Sequence, residues 1–329
     1  MEKITRLAGM VLFASILSGH TVPQRAPSSG VIESNKNPLQ IAILHWYDAN
    51  QTTSFPIANS PCGLAFDGAS VWVSSFNTHG GSNVTKLRAS DGQVLGTFSA
   101  GDNPEGLAFD GADIWVANGG DSTVTKLRAS DGQVLGTFSV GVGPTGVAFD
   151  GFSIWVTNFD IGNGNTVTKL RASDGQVLGT FVVGSGPGNV AFDGRSIWVS
   201  NVFSNNVTKL SRDGQVLATI TVGSEPSGLA FDGANIWVAN RSSNNVSKLR
   251  ASDGQVLGTF AAGSNPVSVA FDGSNIWVTN IGSNTVSKLR ASDGQLLSTF
   301  AVSTGPDGVA FDGANIWITN FFSNSVSKL

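Results

Sequence analysis

Apolar and polar residues alternate along this chain in short runs, and each run is cut by a glycine turn. Residues 145–183 show the unit. Gly146 to Asp150 reads as a first strand, Ile154 to Asn158 as a second, Thr166 to Ala172 as a third and Gln176 to Val183 as a fourth. Asp150-Gly151-Phe152-Ser153 and Ser173-Asp174-Gly175 read as the tight turns, because Asp-Gly accepts the positive φ that hairpins require. Gly184 to Pro187 then crosses to the next unit. Val, Ile, Phe, Trp and Thr fill the alternating positions, which is an all-β pattern.

The unit repeats. Phe-Asp-Gly occurs seven times, beginning at Phe66, Phe109, Phe149, Phe192, Phe231, Phe271 and Phe311, with a Trp six residues after each Phe. The steps between copies are 43, 40, 43, 39, 40 and 40 residues. A period near 40 made of strands predicts a seven-bladed β-propeller with four-stranded blades. Two long repeats carry a three-residue insertion between Trp and the Val-x-Lys-Leu motif, at Trp72 to Val84 and Trp155 to Val167. The short repeat has lost one residue at Ser211-Arg212-Asp213-Gly214.

Strands one to three occur seven times, but strand four has only six C-terminal copies. Gln51 to Ile57 matches a degenerate fourth strand, so the N-terminal segment is expected to complete the last blade and close the ring. Ile41 to Tyr47 and Val326 to Leu329 both match the third strand of that blade.

The net charge is −4 and only 13% of the 329 residues are charged. The basic residues are mostly the repeated Lys and Arg of one strand and spread around the ring, which argues against a nucleic-acid stripe. Residues 1–19 read as an export signal: Lys3 and Arg6, then an apolar Leu7 to Leu17, then Leu17-Ser18-Gly19 as the cleavage site. The stretch resembles a bacterial lipoprotein signal, with His20 where the lipidated Cys would stand. Residues 20–38, rich in Pro, Ser and Asn, read as a linker, and 39–329 as the propeller. The expectation is an exported monomer, periplasmic or extracellular, with no membrane span after signal cleavage. Cys62 is the one cysteine, so no internal disulfide staples the fold.

The repeated Asp of Phe-Asp-Gly is expected to bond backbone amides of its own turn. The Asn that ends strand two, as in Asn118, Asn158 and Asn320, is expected to cap a loop.

Three motifs carry a resemblance over residues 41–329: Val140-Gly141-Val142-Gly143-Pro144-Thr145-Gly146, the Asp-Gly-x-x-Ile-Trp-Val-x-Asn string, and Asn-x-Val-x-Lys-Leu. The chain resembles the YVTN-type bacterial propeller repeat and, more loosely, the streptogramin (virginiamycin B) lyase-like propellers. The lyase resemblance implies a catalytic histidine and a divalent metal near the top of the ring. This chain has His20, His45 and His79, of which His79 alone falls in a loop that could face a ligand. The string Gly305-Pro306-Asp307-Gly308 is lyase-like, but Asn320 stands where that family has a glutamate. Gluconolactonase-like propellers bind a metal through a glutamate and asparagines on inner strands. No inner strand here carries a glutamate.

The Asp-Gly turns fall on one face and hardly vary, while the loops after strand two and between blades fall on the other and do vary. Variable loops on a fixed frame are where binding is usually built. The residue after each inter-blade Pro should sit at the channel mouth, and ring closure makes Asp307, Cys62 and Glu105 neighbours there. Two carboxylates and a thiol are a donor set for a cation. The varying face also carries Phe76, His79, Phe159, Arg241, Phe321 and Phe322, a contact surface of aromatics with an arginine.

The function expected is a binding or scaffold module for a protein, glycan or small molecule, with no cofactor. The alternatives are a metal-dependent lyase or lactone hydrolase, with a divalent metal at the mouth, and a structural envelope protein. Near-identical repeats favour the non-enzymatic readings, since catalysis needs a few residues in unlike roles.

Overall fold

The computed structural model describes residues 53–57, 59–76, 82–160 and 164–329. The export signal, the linker, His20, His45 and His79 lie outside the described residues.

Each repeat forms a four-stranded antiparallel sheet. In blade three the strands are Pro144–Phe149, Ser153–Asn158, Thr166–Arg171 and Val177–Val182, hydrogen-bonded in that order. Six blades follow the chain in this way, and the seventh is closed from the other end. Thr53–Pro56 is the outer strand beside Ser325–Lys328, with Phe55 opposite Val326. The C-terminal segment therefore holds the third-strand position of the last blade. The inner strands stand side by side, and Pro61–Phe66 lies between Pro306–Phe311 and Pro104–Phe109. The fold is a closed seven-bladed propeller. Among the described residues no helix is long and apolar enough to cross a membrane.

One Trp per blade is the anchor, and its repeated partners explain the repeated sequence. Six of the seven are fully buried, and Trp277 is 6% exposed. The Asp of Phe-Asp-Gly accepts two turn amides on one oxygen, as expected. Its other oxygen accepts the indole N–H of the Trp, as in Trp155 Nε1 to Asp150 at 2.9 Å. The Lys of Val-x-Lys-Leu lies over the Trp face at 4.8–5.2 Å in every blade, and in all but blade six, where it is Lys288, it donates to a carbonyl of the next blade, as Lys126 does to Ala172. One lysine thus makes a cation–π contact and a cross-blade hydrogen bond. The Asn at the end of strand two caps its loop: Asn118 donates to Thr123 and Thr125 and accepts from the Gly101 amide.

The inner strands begin at the inter-blade Pro, two residues earlier than the turn pattern suggests. Each carries one extra residue against its neighbour, between Pro144 and Val147 in blade three and at the matching place in every blade. This bulge re-aims the residue after the Pro. A Ser or Thr of the second strand secures it in five blades. Thr319 accepts from the Gly308 amide at 2.7 Å and donates to the Cys62 carbonyl of the next blade at 2.7 Å. Blades two and five have Ala117 and Ala239 there and lack the lock.

Candidate functional site

The bulge residues converge on the propeller axis. Cys62, Glu105, Thr145, Gly188, Ser227, Val267 and Asp307 line a central cavity of about 280 Å³. The sequence placed Cys62, Glu105 and Asp307 at adjacent positions of the mouth, and the structure brings them to this one cavity. Glu105 stands on an inner strand, Pro104–Phe109. The expectation that no inner strand carries a glutamate is corrected. The bulge hid the start of the strand, because a Pro and the residue after it read as loop.

Burial and mutual charge set the chemistry of the three groups. Burial pushes the Glu105 carboxyl up to about 7, and the negative charge of Asp307 adds to the effect. Burial raises Asp307 to about 6, against a pull from the Arg241 guanidinium. Burial, then Asp307 and Glu105, push the Cys62 thiol to about 12, and the thiol donates to the Pro104 carbonyl at 3.3 Å. Cys62 is thus a neutral thiol at physiological pH, a poor nucleophile and a poor metal ligand. Glu105 and Asp307 each gain or lose a proton near neutrality, as a general acid or base must. Among the described residues no three His, Cys, Asp or Glu side chains are grouped to hold a metal ion.

The varying face carries the collar of the cavity. The residue after the capping Asn stands over the bulge residue of its own blade: a Cβ on Gly188 would lie 3.0 Å from Val202. The collar residues run Phe76, Gly119, Phe159, Val202, Arg241, Ile281 and Phe321. The aromatics expected here as exposed are only partly so. Phe76, Phe159 and Phe321 are half-buried, because they pack in pairs. Phe76 meets Phe321 at 6.1 Å, Phe321 meets Phe322 edge-on at 5.3 Å, and Phe159 meets Phe203 at 5.4 Å. Phe322, Phe203 and Arg241 are exposed. Sequence reading missed the aromatic pairing, which joins blade one to seven and blade three to four. Ring closure was the signal for the first pair.

No protein-family profile matches the chain, and no curated protein matches it. Solved structures do. The chain is similar to the hydrazine synthase of Kuenenia stuttgartiensis at a TM-score of 0.73 and 19% identity, over 82% of this chain and 95% of that one. It is similar to a streptogramin B lyase at 0.72 and 19%, over 84% and 96%. It is also similar to the virginiamycin B lyase of Staphylococcus aureus at 0.71 and 17%, over 84% and 98%. At such identities the likeness is one of fold: this chain is a β-propeller built like the streptogramin B lyases.

Proposed function

We propose that the chain is an exported β-propeller binding module of the YVTN type, whose ligand docks at the collar and reaches into the axial cavity. The observation that carries this reading is the placement of asymmetry. The seven blades repeat nearly unchanged, while two buried carboxyls found in one blade each, Glu105 and Asp307, meet in one cavity. Exposed Phe322, Phe203 and Arg241 rim the same face. An acidic floor under an aromatic rim suits a ligand with a protonated or donor-rich end and an apolar body. Thermal-shift screening of amines, glycans and short peptides against the purified protein tests it. A ligand that raises the melting temperature of the parent, and not of a Glu105→Gln/Asp307→Asn variant, supports the reading. A panel that shifts neither protein counts against it.

One observation favours a second reading, a lyase or lactone hydrolase: two carboxyls that titrate near neutrality inside a cavity of a streptogramin-lyase-like frame. That reading needs a divalent metal. Calorimetry with Mg, Mn, Ca and Zn distinguishes the two. The binding reading expects no tight stoichiometric site, and one sub-micromolar site lost in Glu105→Gln would favour the lyase.

A further inference from the structure

The collar has one gap. Six of its seven positions carry a side chain, and blade two has Gly119. The position lies directly over Glu105: a Cβ on Gly119 would be 3.0 Å from Glu105 Oε1, with the Pro144 carbonyl at 3.4 Å. In blade four the collar side chain fills that space, where Val202 stands above Gly188.

The turn does not require this glycine. Gly119 has no positive φ, unlike sixteen other glycines among the described residues. Its amide donates to the Asn103 carbonyl at 2.9 Å, the bond that Phe159 makes to Gly143 at 2.8 Å and Phe321 to Gly305 at 2.7 Å. The backbone of blade two thus takes the same course as blades that carry Phe, and the side chain alone is missing. The missing side chain coincides with the largest acidic side chain of the floor. It also coincides with Ala117, where five other blades have the hydroxyl that locks the bulge.

We propose that Gly119 is the doorway of the cavity, the position that admits a ligand group to the Glu105 carboxyl and excludes it over the other six blades. Gly119 is then a specificity-determining residue. Any side chain there would stand on the carboxylate, and a larger one would seal it. The proposal rests on the reading of the cavity as the ligand site.

Its test does not need the natural ligand. Carboxyls of the folded protein are amidated with a water-soluble carbodiimide and ethanolamine, and modification of Glu105 and Asp307 is followed by peptide mass spectrometry. In the parent, Glu105 should react. Gly119→Phe should slow Glu105 by about tenfold or more while Asp307 changes little, and Gly119→Val should fall between. Circular dichroism and melting confirm folding, and if the Phe variant does not fold, Gly119→Val carries the comparison. An unreactive Glu105 in the parent, an unchanged rate in the folded variants, or an equal fall at Asp307 would overturn the doorway. A slowed Glu105 together with an empty ligand screen would sink the binding reading, with Gly119 shown only to control access to the carboxyl. Unchanged amidation with intact ligand binding would sink the doorway alone.

Discussion

Phe55 stacks on Trp317, ring centroids 5.6 Å apart and planes inclined by 24°. The first described strand and the last blade therefore make the contact that Phe98 and Trp72, or Phe138 and Trp115, make within one repeat. Closure is built from the same parts as every other blade. Phe55→Ala should cost about 2–4 kcal/mol by removing a packed ring and leaving a cavity beside Trp317. Denaturant unfolding measures it. A loss below about 0.5 kcal/mol, typical of a free surface residue, would mean that the closing strand carries no load.

The Asp–Trp bond predicts a large effect from a small change. Asp150 is 2% exposed and accepts the Phe152 and Ser153 amides and the Trp155 indole. Asp150→Ala strands all three donors and should cost about 3 kcal/mol or more. Equilibrium unfolding checks this, and a near-neutral variant would contradict the assigned role.

The hydroxyl lock predicts opposite signs at two equivalent positions. Thr319→Val removes the bonds to Gly308 and to Cys62 of the next blade and should cost about 1–2 kcal/mol. Ala117→Thr introduces the same group in blade two and should raise stability by about 0.5–1 kcal/mol. Melting of the two variants decides, and a destabilised Ala117→Thr would show that the blade-two seam is packed differently.

Stability should fall between about pH 4 and pH 7 through the cavity acids. Glu105 and Asp307 hold their protons up to about 7 and about 6 in the fold. In the unfolded chain they ionise near pH 4. Across that interval the unfolded chain binds fewer protons than the native one, so stability drops as pH rises. Glu105→Gln should therefore melt higher than the parent at pH 8 and lose that advantage at pH 4. A variant less stable than the parent at pH 8 would mean that ionised Glu105 has an unseen partner.

The frame was legible in the sequence because each blade repeats the same solution. Phe-Asp-Gly and the Trp six residues later gave the period, and the missing fourth strand gave the closure by Thr53–Pro56. Ring closure, read from the repeat pattern, also places Asp307, Cys62 and Glu105 at neighbouring positions. Two things escaped. The bulge after each Pro disguised two strand residues as loop, so Glu105 was not placed on a strand. The indole bond of the Asp was invisible because the Asp already had enough partners in its own turn. The titration of Glu105 near neutrality was not legible either, since it depends on burial and on a charge from a blade far along the chain.

The most direct test of a ligand site in the axial cavity is calorimetric titration of the best ligand from the screen at pH 8. The ligand is titrated into the parent, the Glu105→Gln/Asp307→Asn variant and Phe322→Ser. Phe322 is 67% exposed, so its loss should leave melting unchanged. The account predicts that the double variant binds at least about tenfold more weakly, and that Phe322→Ser weakens binding by a smaller factor. Full affinity in the double variant would contradict it, whatever happened at Phe322, because the ligand would then bind without entering the cavity.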